Sequence, residues 1–203
     1  MPQLSLTDFV DVVSLSGTPK ATKVHQLKIR PSYDPIADFY KRIRESIVET
    51  HQGDLGKEHI DEVLVALTDP KKITAYPFVA GGYKKWWGRK NLVWFNPPSI
   101  LYSNYGVDVS VNPELGLKVD GAPHLIKLYF KSKPLEKNKV DIITHLMATT
   151  LSGLCPSTSN TITVMSVLDV RRGKLISPTV PISALMGMLQ AELAYIATLW
   201  PSV

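Results

Sequence analysis

A chain of 203 residues has room for one well-buried core and is short for two, and its 44% apolar and 20% charged residues are those of an ordinary globular protein. Lys and Arg outnumber Asp and Glu by 23 to 18, a net charge of +5 that favours anionic partners such as nucleic acid. The only cysteine, Cys155, excludes an intrachain disulfide framework and a cysteine cluster for zinc.

The opening MPQLSLTDFV carries Asp8 and Asp11 where a secretory leader would be basic and then apolar. Ser5 or Thr7 can cap a short helix over Phe9, Val12 and Val13, stopped near Gly17. Residues 18–33 hold Lys20, Lys23, Lys28 and Arg30 and no acid, which predicts an extended basic arm. A helix follows over 34–50, with Ile36, Phe39, Tyr40, Ile43 and Ile47 on one stripe, and a second over 57–67. Asp69, Pro70 and Pro77 predict two short helices next. The run Tyr83, Lys84, Lys85, Trp86, Trp87, Gly88, Arg89, Lys90 then interleaves basic and aromatic side chains. That composition can combine phosphate contacts with stacking on bases. It is equally the composition of tryptophans anchored in a core while lysines reach outward.

Alternation predicts strands at Val107–Val111, Leu115–Val119 and Ile126–Lys131, the last two joined by a hairpin turn at Asp120-Gly121. A helix over 137–151, a strand at 161–170, a turn at Arg172-Gly173, a strand at 174–177 and an apolar helix over 182–199 complete the order. The fold expected is α+β or mixed α/β, with one mixed sheet (a three-strand meander plus the later strand pair) covered by helices. The whole chain, 1–203, is expected as a single domain. Within it, 1–33 is the basic arm and 34–98 a helical, aromatic-basic addition to an αβββαβ-like core.

The hairpin carries the chemistry of interest. A two-residue turn places Glu114 opposite Lys127, and a loop longer by two residues, to accommodate Pro123, places it opposite Tyr129; in either register period-two alternation puts Glu114, Lys127, Tyr129 and Lys131 on one face. Leu115, Leu117 and Val119 join Ile126, Leu128 and Phe130 on the other, which is core. A solvated cross-strand ion pair would account for Glu114 and Lys127; so would a site that handles an anion. Asp169 fits a hairpin acid pairing with Arg171 or Arg172, and Asp141 with His145 a surface pair at helical spacing.

An acid after a proline at the start of one strand, then a lysine on the next, within this order of elements, resembles the restriction-endonuclease-like PD-(D/E)xK nuclease superfamily. The resemblance implies a magnesium ion held by Glu114 and a second acid, with Lys131 or Lys127 orienting the attacking water. The superfamily's second acid would stand at 129 or 125, which hold Tyr129 and Leu125, so a displaced acid such as Asp108, Asp120 or Glu45 is required. Two readings follow. The first is a nucleic-acid-associated protein, either a magnesium-dependent nuclease or a non-cleaving relative, binding through Lys84, Lys85, Trp86, Trp87, Arg89, Lys90 and Tyr129. The second is a structural or assembly protein that forms a homo-oligomer through 182–199. Neither calls for a membrane, since Ile182 to Leu199 is short for a span and contains Gln190 and Glu192, and a cytoplasmic location is expected.

Overall fold

The computed structural model describes residues 1–30, 38–155, 162–178 and 185–203. A short strand β1 (Gln3–Ser5) leads into helix α1 (Leu6–Val13), which Ser5 caps as expected by accepting from the Asp8 N–H at 3.0 Å. Residues 17–28, expected as part of an extended arm, form a second helix, α2 (Gly17–Lys28). Its buried Val24 and Leu27 pin one edge of a polar helix to the core; two apolar anchors are too few to show as periodicity, and tertiary packing supplies the rest.

Next come α3 (Lys41–Gln52), a 3₁₀ turn (Lys57–Asp61) running into α4 (Glu62–Val65), and α5 (Pro70–Trp87). The start expected at Asp34 lies outside the described residues. Helix α5 replaces the two short helices expected. Asp69 caps it, accepting from the Lys71 N–H at 2.8 Å, and Pro70 occupies its first turn. Pro77 forfeits one backbone bond inside it, but Tyr76, Val79, Ala80 and Tyr83 are buried on either side and hold the helix continuous.

The strands are β2 (Leu92–Phe95), β3 (Ile100–Asn104), β4 (Val107–Val111), β5 (Leu115–Val119) and β6 (Ala122–Tyr129). Helix α6 (Lys137–Leu151), strand β7 (Val164–Asp169), a 3₁₀ turn (Val170–Arg172), strand β8 (Lys174–Ile176) and helix α7 (Leu185–Leu199) follow. The class is α+β, with helices covering mixed sheet. The strands divide between two sheets, however, where one was expected: β1-β4-β3 and β2-β5-β6-β7-β8. The expected meander is cut at Asn112–Glu114, where the chain leaves one sheet for the other. The hairpin takes the shorter of the two registers the sequence allowed, Val119 opposite Ala122, with Asp120 and Gly121 both at positive φ (50° and 92°) as a tight two-residue turn demands.

Both faces of the five-stranded sheet are covered. On one, Leu115, Leu117, Ile126, Leu128, Phe130, Leu168 and Val170 pack with α3, α4 and α5. On the other, Leu125, Tyr129, Met165 and Val167 pack with α1, α2, α6, α7 and the smaller sheet. The face bearing Lys127 and Tyr129 is therefore not a solvated one: both residues are buried. Helix α7 buries Leu185, Leu189, Leu193 and Ile196 and leaves Met188 and Tyr195 partly exposed. Among the described residues no helix is long and apolar enough to cross a membrane.

One buried histidine gives the fold a pH dependence. His51 is hydrogen-bonded through Nε2 to the Tyr83 hydroxyl at 2.6 Å and lies against the Trp87 ring, 4.6 Å between centroids. Burial pushes its pKa down to about 4, against a small opposing pull from Asp54. The folded state thus keeps His51 neutral where the unfolded chain takes up a proton, so stability falls as pH drops from about 6.5 towards 4. Urea unfolding at pH 5 is expected to give a stability about 2 kcal/mol below that at pH 8 from this group, and the His51→Gln variant should lose that part of the slope. An unchanged slope in the variant would assign the effect to other groups.

Candidate functional site

An open cleft of about 1290 Å³ lies where α1, the end of β6 and the start of α6 meet. Its lining includes Glu114, Lys127, Tyr129 and Lys131, so three-dimensional folding gathers the hairpin residues that alternation placed on one face. Arg30, Arg44 and Lys139 bring further positive charge, and Asp8, Asp11 and Asp38 further negative charge.

The parts of the cleft differ in what they can do. Lys127 lies in mid-strand with its ammonium 2.7 Å from Glu114 Oε1 and 2.9 Å from the Asn112 carbonyl oxygen, both of which accept from it. The Asn112 side-chain oxygen stands at 3.5 Å. Glu114 Oε2 accepts from the Leu128 N–H at 2.8 Å. Lys127 therefore ties the crossover segment Asn112–Glu114 to the neighbouring strand, and only 9% of its side chain is exposed. This is a buried structural pair, not the exposed pair one reading of the sequence allowed.

Lys131 is placed differently. It stands just past the end of β6, 44% of its side chain is exposed, and it donates to Asp11 Oδ2 at 2.6 Å. Lys139, in the first turn of α6, donates to the other oxygen of the same carboxylate at 2.9 Å. Burial alone would raise the Asp11 carboxyl; the hydrogen bonds and charges of Lys131 and Lys139 outweigh it and hold the group below the ordinary carboxylate range. One helical turn earlier, Asp8 receives the Arg30 guanidinium at 3.1 and 2.9 Å. Its carboxyl too is held low, Arg30 and Ser5 overcoming the effect of burial. Tyr129 donates its hydroxyl to the Lys133 carbonyl at 2.9 Å, and Tyr40 is stacked on Phe130, 5.1 Å between centroids.

The acids proposed as displaced partners lie elsewhere. Asp108, on β4, does not line the cleft and accepts from Ser103 Oγ at 2.6 Å. Asp120 accepts from the Asn91 N–H at 2.9 Å and serves the hairpin turn, while Glu45 pairs with Lys41 on the surface of α3. Asp169 is buried and binds Arg172, as a hairpin acid should, and Asp141 pairs with Lys137 at 2.7 Å. The acid that folding brings to Lys131 is Asp11, 120 residues away in the chain. The sequence offered one signal for it: Asp8 and Asp11 are three apart on a helix that is otherwise apolar save Thr7, so both fall on one polar edge.

A magnesium ion takes near-octahedral oxygen ligation, through one or two carboxylates and water or phosphate. Here both oxygens of Glu114 and both of Asp11 already accept from donors of the chain. Among the described residues no three His, Cys, Asp or Glu side chains converge to hold a metal. The donor set does not fit magnesium.

The aromatic-basic segment sits away from the cleft, at the C-terminal end of α5. Trp86 is buried, Trp87 rests on His51, and Tyr83 is fully enclosed. Lys84 pairs with Asp61 at 2.6 Å, and Lys90 donates to the Trp86 carbonyl and lies over its ring. Lys85 and Arg89 remain exposed. The tryptophans are thus structural anchors, and the rings expected to stack on bases are packed against the protein's own residues.

Comparisons with protein families, with curated proteins and with solved structures found no match to this chain.

Proposed function

We propose that the protein binds the phosphate backbone of nucleic acid in the cleft between α1 and the end of β6, without cutting it, in the cytoplasm. The observation that carries this reading is the gathering of Arg30, Arg44, Lys131 and Lys139 around one open cleft. A net charge of +5 favours the same class of partner. Cations of this kind contact phosphates whatever the base sequence, and each one engaged releases condensed counterions. The exposed heads of Lys131 and Arg30 make them the cations best placed to exchange their partners.

Fluorescence anisotropy with labelled single- and double-stranded DNA and RNA, over a range of salt, tests the reading. Affinity is expected to fall steeply with salt, equally in magnesium and in EDTA, with the labelled strand intact. Lys131→Ala should lessen the slope of log K against log salt by about 0.7–0.9, one phosphate contact. No binding at low salt would sink the proposal. Magnesium-dependent cutting abolished in Lys131→Ala would replace it with the nuclease reading. The assembly reading rests on the partial exposure of Met188 and Tyr195 on α7. Sedimentation of the wild type against Tyr195→Glu separates it, since a dimer lost in the variant would favour contacts between chains there.

A further inference from the structure

Helix α1 turns its apolar side, Leu6, Phe9, Val10, Val12 and Val13, into the core. Its remaining edge carries Asp8 and Asp11, one turn apart, along the wall of the cleft. Two carboxylates at this spacing have Cβ atoms about 5–6 Å apart, of the order of the separation of successive phosphates along a strand. Each is met as a phosphate would be met. Asp11 takes one lysine on each oxygen, at 2.6 and 2.9 Å, Lys131 from just past β6 and Lys139 from the first turn of α6, both distant from it in the chain. Asp8 takes the guanidinium of Arg30 through two parallel hydrogen bonds, the fork geometry that arginine offers to carboxylate and phosphate alike.

We infer that Asp8 and Asp11 are an internal stand-in for two phosphates, so that a phosphate-bearing ligand must displace them to reach Lys131, Lys139 and Arg30. The inference rests on the proposed function of the cleft and adds its regulation: the protein carries its own competitor. Each cation gives up one anionic oxygen for another, while the carboxylates left behind, 15% and 19% exposed, lose their partners, and that loss is what the ligand must outweigh. Two features make the exchange accessible. The Lys131 and Arg30 side chains are 44% and 52% exposed, and the acids belong to a helix anchored by its opposite side, which leaves them no means of following a displaced lysine out of the cleft. Such a competitor lowers apparent affinity by the fraction of molecules in which the cations are engaged with it.

The test is Asp11→Asn, which keeps the shape of the side chain and removes its charge. Binding of inorganic pyrophosphate is followed by calorimetry, and binding of a fluorescein-labelled oligothymidine by anisotropy. Asp11→Asn is expected to tighten both by about tenfold or more, as when a competitor occupying nine-tenths of the sites is removed. The salt dependence for the oligonucleotide should stay as in the wild type, since the same cations meet phosphate in both complexes and only the competitor is lost. Unchanged or weaker binding of both probes by folded Asp11→Asn would overturn the inference, leaving Asp11 a structural clamp. If Asp11→Asn does not fold, Asp8→Asn decides in the same way through the release of the more exposed Arg30. Tighter pyrophosphate binding with no oligonucleotide binding by either protein would uphold the competitor and sink the nucleic-acid reading. Oligonucleotide binding by the wild type that no variant improves would do the reverse.

Discussion

Lys127→Met is expected to lower the stability of the protein by about 3–5 kcal/mol, the cost of breaking a buried ion pair from one side. The ammonium of Lys127 serves the Asn112 carbonyl and the Glu114 carboxylate together, and those two residues belong to the segment that carries the chain from the three-stranded to the five-stranded sheet. Without it, the Glu114 carboxylate, 15% exposed, keeps only the N–H of Leu128. The desolvation already suffered by that charge is then no longer compensated. The double variant Glu114→Gln/Lys127→Met removes the charge with its partner and should recover much of the loss. Lys131→Ala, in contrast, should change stability by about 1 kcal/mol or less, because its pair with Asp11 is half open to water. Urea unfolding of the four proteins checks the series. A loss below about 1 kcal/mol in Lys127→Met would show that the two sheets are joined by packing alone. The contrast also separates two lysines that the superfamily resemblance left as alternatives: Lys127 is buried in a structural pair, and the Lys131 side chain is 44% exposed.

Gly82→Ala carries the second large effect, a loss of about 3 kcal/mol or more by overpacking. Helix α5 lies so close to the 3₁₀ turn Val170–Arg172 that a Cβ on Gly82 would stand 2.1 Å from the Val170 carbonyl oxygen and 2.7 Å from that of Arg171. Both obstacles are backbone, in a segment fixed between β7 and β8, so neither can swing aside as a side chain would. The approach is reciprocal: Gly173, at a φ of +61°, would bring a Cβ within 2.7 Å of the Gly82 carbonyl oxygen. The helix must move away, and with it Tyr83 and Trp86, which are buried in the layer beneath. The neighbouring Gly81 is the control. Nothing lies within 4 Å of a Cβ there, and the position is exposed. Gly81→Ala should therefore stabilise the protein by about 0.5–1 kcal/mol, the helix-propensity difference. Thermal or urea unfolding of the two variants is the measurement. Equal effects of either sign would refute the close approach of α5 to the turn.

What could be foreseen from sequence was what neighbouring residues decide among themselves. The Asp120-Gly121 pair supplies the two positive φ angles that a tight hairpin turn needs, and strand parity, the same in both registers the sequence allowed, sends Glu114, Lys127, Tyr129 and Lys131 to one side. The Ser5 cap, the Asp69-Pro70 helix start and the pairing of Asp169 with Arg172 are likewise short-range, each settled within three residues. Helix α2 was missed because its hold on the core is two side chains, and continuous α5 because the burial of Tyr76 and Tyr83 outweighs the local cost of Pro77.

The sequence by itself determined an α+β chain, its hairpin, and the side of that hairpin on which charge collects. Only the tertiary structure decided what covers that side, because the partner of a face is chosen by layers far apart in the chain. It buried Lys127, left Lys131 open, and set Asp11 between Lys131 and Lys139. It also told Gly81 from Gly82, two identical neighbours of which one faces water and the other another backbone. Local rules act through a few bonds of chain and have no access to such choices, which depend on the free energy of packing whole elements together.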